Sequence, residues 1–285
     1  MKKRILLCLA VVLMSCLTVA AQDPKMQPLT FWYEYTVNPG KDAQFMELVK
    51  TVGAPVRDKL LADGVILAWG VHVGLLRAPG NSTHIIWYSV ADWSGIEKVD
   101  SAMRAQIAKL DEEATKSGTG KKGSSGGATV TARMMEAADV SKTRDYITRD
   151  LVFVTGKGEV PAGVLPWTRY NFVKVKPGKG GDFRKVWEKY NKPVLDKLVA
   201  DGVILAYGLS VEEVRTDGDF THYVWYATKD LASFEKIRTT FNADRDKRSQ
   251  EEQDAITAEF LKTIDPDASR SEVGRSIMFK VGGMK

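Results

Sequence analysis

Two periods alternate along this chain. Thr30 to Val37 is aromatic and β-branched and reads as a strand, and Asn38-Pro39-Gly40 turns the chain after it. Phe45, Leu48, Val49, Val52 and Val56 then follow helical spacing, so an amphipathic helix is expected next. Pro55 falls late in that pattern and should kink or split the helix, because proline removes an amide hydrogen bond. Asp63-Gly64 closes it, glycine being common just past a helix end. Val65 to Val73 and Thr83 to Tyr88 then form a hairpin, and Asp92 takes an N-cap position for a second helix beginning at Trp93. Asp150 to Val154 supplies a last strand.

The same succession returns 138 positions later, without a gap between residues 31 and 98. Pro39-Gly40-Lys41 and Phe45 recur as Pro177-Gly178-Lys179 and Phe183, and Asp63-Gly64-Val65-Ile66-Leu67-Ala68 recurs as Asp201-Gly202-Val203-Ile204-Leu205-Ala206. Ser276 to Val281 matches the last strand of the first copy. Solenoid units run roughly 20 to 50 residues, so a period of this length is a whole domain. The order β-α-β-β-α-β in each copy is the split βαβ, or ferredoxin-like, unit. The expected domains are 27–156 and 167–285, joined by a linker at 157–166. The first copy carries an additional Gly/Ser-rich loop at 117–127, a flexible composition without the spacing of a phosphate-binding loop. The charged stretch Asp244 to Asp254 reads as the solvated face of the second helix.

The hairpin strands are apolar on both faces. Val65, Leu67, Trp69, Val71 and Val73 share one face, and Ile66 and Ala68 the other. Such strands need helices on one side and a second sheet on the other.

Composition narrows the setting. Lys2-Lys3-Arg4, the apolar run Ile5 to Leu17 and the small residues Val19-Ala20-Ala21 have the form of a secretory signal peptide, so residues 1–21 are expected to be removed and the mature protein exported, to a periplasm or beyond. A rival reading makes Cys16 the acylated residue of a lipoprotein signal; the apolar residues that continue past it argue against this. Cys8 and Cys16 both lie in the leader, which leaves the mature chain without a disulfide, a thiol nucleophile or a cysteine-ligated metal. No later stretch is long and apolar enough for a membrane-spanning helix. The formal net charge of +5 becomes +2 once Lys2, Lys3 and Arg4 are gone, and the remaining charges are interspersed, which does not suggest a nucleic-acid binder.

Pro-Gly-Lys-x-x-x-Phe leading into a helix that ends near a proline, followed by a His-x-x-Trp-Tyr strand, resembles the dimeric α+β barrel group. Within it, the chain is most similar to NIPSNAP-like and antibiotic-biosynthesis-monooxygenase-like domains. The resemblance covers Leu29 to Val154 and Trp167 to Val281. It implies an α+β fold in which two tandem ferredoxin-like (βαββαβ) domains pack sheet to sheet as an intramolecular dimeric α+β barrel. The group includes cofactor-free oxygenases and haem-degrading enzymes as well as members without assigned activity, so the fold alone does not imply a reaction.

The mature chain has three histidines, His72, His84 and His222. His84 and His222 are equivalent and begin matching strands. If the face of His84 and Tyr88 lines the space between the sheets, these two residues, with His222 and Tyr226, can meet a ligand there; if Trp87 and Trp225 face inward, they offer flat walls for an aromatic molecule. The alternative for all six is structural: aromatic core and capped strand ends. His72, matched by Ser210, and Tyr33, matched by Asn171, are differences of the kind a one-sided site produces. No metal-binding motif and no Gly-x-Ser-x-Gly elbow occurs. Three functions follow: binding of a small apolar or aromatic molecule, a cofactor-independent monooxygenase or haem-handling enzyme, or a structural or interaction module.

Overall fold

The computed structural model describes residues 27–76, 82–117, 128–156, 164–216 and 220–282. The leader and most of the Gly/Ser loop and of the linker fall outside the described residues.

The first half runs β1 (Leu29–Tyr35), α1 (Asp42–Leu48), a π-helical turn (Val49–Gly53), α2 (Ala54–Ala62), β2 (Ile66–Gly74), β3 (His84–Val90), α3 (Trp93–Ser117), α4 (Val130–Ala137) and β4 (Arg144–Thr155). The second half runs β5 (Trp167–Val175), α5 (Gly180–Tyr190), α6 (Lys192–Ala200), β6 (Ala206–Glu212), β7 (His222–Thr228), α7 (Ala232–Arg245), α8 (Gln250–Leu261) and β8 (Ile264–Val281). The first helix of each half is split next to its proline, Pro55 or Pro193, as the sequence leads one to expect. Gly64 and Gly202 follow the second pieces at φ +74° and +68°, where a Cβ would be strained.

All eight strands close into one barrel in the order β1-β3-β2-β8-β5-β7-β6-β4. Two ferredoxin-like sheets thus meet in a single chain. The seams are β2 with β8 and β4 with β6, so the last strand of each half is shared. Residues 144–149 of β4 pair with β1, and residues 148–155 pair with β6. This dual pairing is why β4 and β8 extend well before Asp150 and Ser276. Their leading segments are polar and do not read as strand from sequence; here their arginines lie over aromatic rings, Arg144 5.3 Å from Tyr146 and Arg270 4.1 Å from Phe172.

Two further departures from the sequence pattern are local. A bulge between Ile66 and Ala68 turns Ile66 onto the helix side with Trp69, whereas strict alternation puts it with Ala68. The helix expected after each hairpin is two helices. In the second half it breaks at Asp246–Ser249, and α8 starts with a capping box between Ser249 and Glu252, inside the stretch that reads as one solvated face.

Three cores result. One lies between the first sheet half and its helices, one between the second half and its helices, and a third, aromatic core fills the barrel around Trp32, Trp87, Tyr146, Tyr170, Phe172 and Tyr223. Gly70 and Gly208 make room for this interior. A Cβ at Gly70 would sit 2.9 Å from the Trp87 Nε1, and one at Gly208 2.5 Å from that of Trp225.

Candidate functional site

The strand faces settle which aromatic residues look inward. Trp87 and Trp225 point into the barrel; His84, Tyr88, His222 and Tyr226 point to the helices. The six therefore do not form one site.

Inside the barrel, each tryptophan finds a different partner. Trp87 Nε1 donates to His72 Nε2 at 3.1 Å, and Tyr170 Oη lies 2.8 Å from His72 Nδ1. Because an indole N–H can only donate, Nε2 is the acceptor, and neutral His72 carries its proton on Nδ1 and gives it to the tyrosine oxygen. Burial lowers the His72 pKa to about 4. Across the barrel, Trp225 Nε1 donates to Ser210 Oγ at 3.2 Å, and Ser210 donates to Asp150 Oδ1 at 2.5 Å. Burial raises Asp150 to about 7, against the opposing pull of its hydrogen bonds from Ser210 and Trp225. His72 pairs with Ser276 across one seam, and Asp150 with Ser210 across the other. The base and the acid thus sit on opposite seams of the pseudo-dimer.

On the helix side, His84 Nδ1 is 3.1 Å from the Thr83 hydroxyl, and its ring packs 5.0 Å from Phe45. His222 repeats this with Thr221 at 3.0 Å and Phe183 at 5.5 Å. Burial, and then the charge of Arg215, lowers His222 to about 4. Tyr88 stacks on Phe31 at 5.6 Å, and its hydroxyl pKa is raised by burial.

Tyr226 occupies different surroundings. It lines a cavity of about 330 Å³ between the second sheet half and its helices. That volume is at the lower end for small-molecule sites, roughly 300–1,000 Å³. The walls are apolar and aromatic: Phe183 and Trp187 from α5, Leu195 from α6, Val224 from β7, and Phe234 and Phe241 from α7. Arg169, Asn171 and Asn191 add polar groups. Trp187 is 1% exposed, and its Nε1 has no hydrogen-bond partner. Burial raises the Tyr226 hydroxyl despite the neighbouring Arg169.

The matching space in the first half is occupied. Arg57, at the position of Leu195, is 4% exposed, its guanidinium 5.8 Å from the Trp69 ring and beside Tyr33, Tyr35 and Tyr88. Gly53, at the position of Asn191, admits it, since a Cβ there would overlap the guanidinium. Tyr33 stacks on Phe31 at 4.6 Å, where the second half has Asn171 and Arg169.

The chain spans 90% of its length in a match to 97% of a provisionally assigned monooxygenase from Lactobacillus acidophilus NCFM, with a TM-score of 0.52 and 10% identity. The fold is that of the dimeric α+β barrel group. An anthrone oxidase-like protein matches at a TM-score of 0.49 and 13% identity over 91% of this chain and 95% of its own. A haem-binding protein from Thermus thermophilus matches at 0.48 and 9% over 88% and 92%. At these identities the barrel likeness speaks to architecture alone. No protein-family model matches the sequence, and no curated protein matches it.

The cavity in this barrel does not fit haem. Among the described residues no histidine, cysteine or methionine lines it, and the one phenol among them, Tyr226, is held protonated by burial. His222 touches Phe183 without lining the cavity. Among the described residues no cluster of three metal-ligating side chains occurs, and no helix is long and apolar enough to cross a membrane.

The aromatic lining was not legible as a site, but its signal was present in the differences between copies. In the pairs Phe31 against Arg169, Val49 against Trp187, Gly53 against Asn191 and Arg57 against Leu195, every second-half residue lines the one space between the sheet and its helices.

Proposed function

We propose that this is an exported binding protein whose second half holds a small aromatic or apolar molecule between sheet and helices. Export rests on the signal-like pattern of residues 1–21. Binding rests on one observation: the cavity is open in the half that has Leu195, Asn191 and Asn171, and occupied in the half that has Arg57, Gly53 and Tyr33. Its lining supplies neither an imidazole nor a carboxylate to take a proton, which favours binding over acid–base catalysis. The cofactor-independent monooxygenase reading keeps the barrel likeness as its support.

The test uses the neutral fluorescent probe N-phenyl-1-naphthylamine. The native protein should bind it with saturable emission. Val224→Trp, which projects a large ring from the strand into the cavity, should weaken binding at least about tenfold, or about 1.4 kcal/mol, at unchanged Tm. Absence of saturable binding to the native protein, or undiminished binding to a folded Val224→Trp, overturns the reading.

A further inference from the structure

The cavity carries a charge that nothing in the described protein neutralises. Arg169 stands on β5 where the first half has Phe31. Its Nε donates to Asn171 Oδ1 at 3.1 Å, and its side chain is hydrogen-bonded to Tyr226. Both partners are uncharged, and no carboxylate of the described residues makes an ion pair with it. Arg238, the other guanidinium at the cavity, is already held through two nitrogens by Glu235. Arg169 is half-buried among aromatic and aliphatic walls, where a planar guanidinium favours a planar oxyanion in a two-point contact. Trp187 adds a second, independent indication: a buried indole N–H on the same cavity with no acceptor.

We infer that the ligand is an aromatic carboxylate, its ring between the aromatic walls, its carboxylate on Arg169 and a further acceptor atom within reach of Trp187. This rests on the reading of the cavity as a ligand site and names the chemistry that site selects. A neutral ligand of the same shape would leave the half-buried guanidinium without a counter-charge, and selectivity follows from that difference.

Displacement of N-phenyl-1-naphthylamine by a matched pair at pH 7.5, 1-naphthoate and 1-naphthamide, decides it. Native protein should release the probe at about tenfold lower naphthoate than naphthamide. With each variant's own probe affinity as its reference, naphthoate and naphthamide should compete equally on Arg169→Gln, while Arg169→Lys keeps part of the preference. Equal competition by acid and amide on the native protein, or a preference that survives Arg169→Gln, overturns the inference and leaves the ligand site standing. Failure of the probe to bind native protein removes both. Should Arg169→Gln not fold, the native acid-to-amide ratio and its loss in high salt decide alone.

Discussion

The first half of the barrel places a guanidinium where the second half leaves a cavity. Arg57 is buried with its Nε unpartnered, enclosed by Trp69 and three tyrosines, and burial lowers its pKa. Its counterpart Leu195 lies against open space. The seams differ in the same way, with His72 opposite Ser276 on one and Asp150 opposite Ser210 on the other. Two copies that share a backbone plan have been given opposite interior chemistry, so the repeated residues describe the scaffold and the unrepeated ones describe the site.

The seam comparison breaks most sharply in pH. Asp150 keeps its proton to about pH 7 in the fold, against 3.8 for an ordinary aspartate. The folded state therefore binds the extra proton, and stability falls as pH rises from about 3.8 to about 7, by about 4 kcal/mol at 1.36 kcal/mol per unit. Asp150→Asn should abolish that fall and unfold at higher urea than native protein at pH 8. An unchanged midpoint there would show that the carboxyl is not held protonated.

His72 acts in the opposite sense. Its folded pKa of about 4 lies below the ordinary 6.5, so stability is full above pH 6.5 and is lost as pH falls toward 4, by about 3 kcal/mol. His72→Gln should remove that loss. Between about pH 4 and 6.5 the Asp150 and His72 gradients offset each other, and His222, also lowered to about 4, adds a rise common to all three proteins; relative to native protein, Asp150→Asn should therefore steepen the rise of stability with pH and His72→Gln should flatten it. Urea midpoints across that interval measure all three.

The smallest effect sharpens the comparison of cavities. Replacing even a buried ion pair with apolar residues of similar volume is often neutral or stabilising by about 1–4 kcal/mol, and a charge buried without a counter-ion has less attraction to lose. Arg57→Leu, which gives the first half the residue of the second, should thus leave stability equal or raise it by about 1 kcal/mol. A loss of several kcal/mol would mean that the contact with Trp69 outweighs the desolvation of the charge.

Much of the architecture was legible. The fixed offset, the hairpins and the helix ends at Gly64 and Gly202 led to two tandem ferredoxin-like units, because local turn chemistry and apolar spacing determine them; their closure into one barrel was what the resemblance to the dimeric α+β barrel group implied. The first parts of β4 and β8 were not, since Arg144 and Arg270 become strand residues only through the rings they cover. Nor could alternation alone say which face of β3 and of β7 turns inward; that depends on Gly70 admitting Trp87 and Gly208 admitting Trp225. His72 and Asn171 were visible as differences between copies. The cavity itself was not, because it is volume left by several small exchanges on three elements.

The shared last strands have a consequence for how such a protein can change. In an assembly of two identical subunits every substitution is made twice, so a residue that closes one site closes its twin. Here β4 and β8 tie two unlike halves into the same ring of strands, and a mutation falls once. One side can become ballast for the ring while the other is free to be reshaped, without the two ever having to find each other by diffusion.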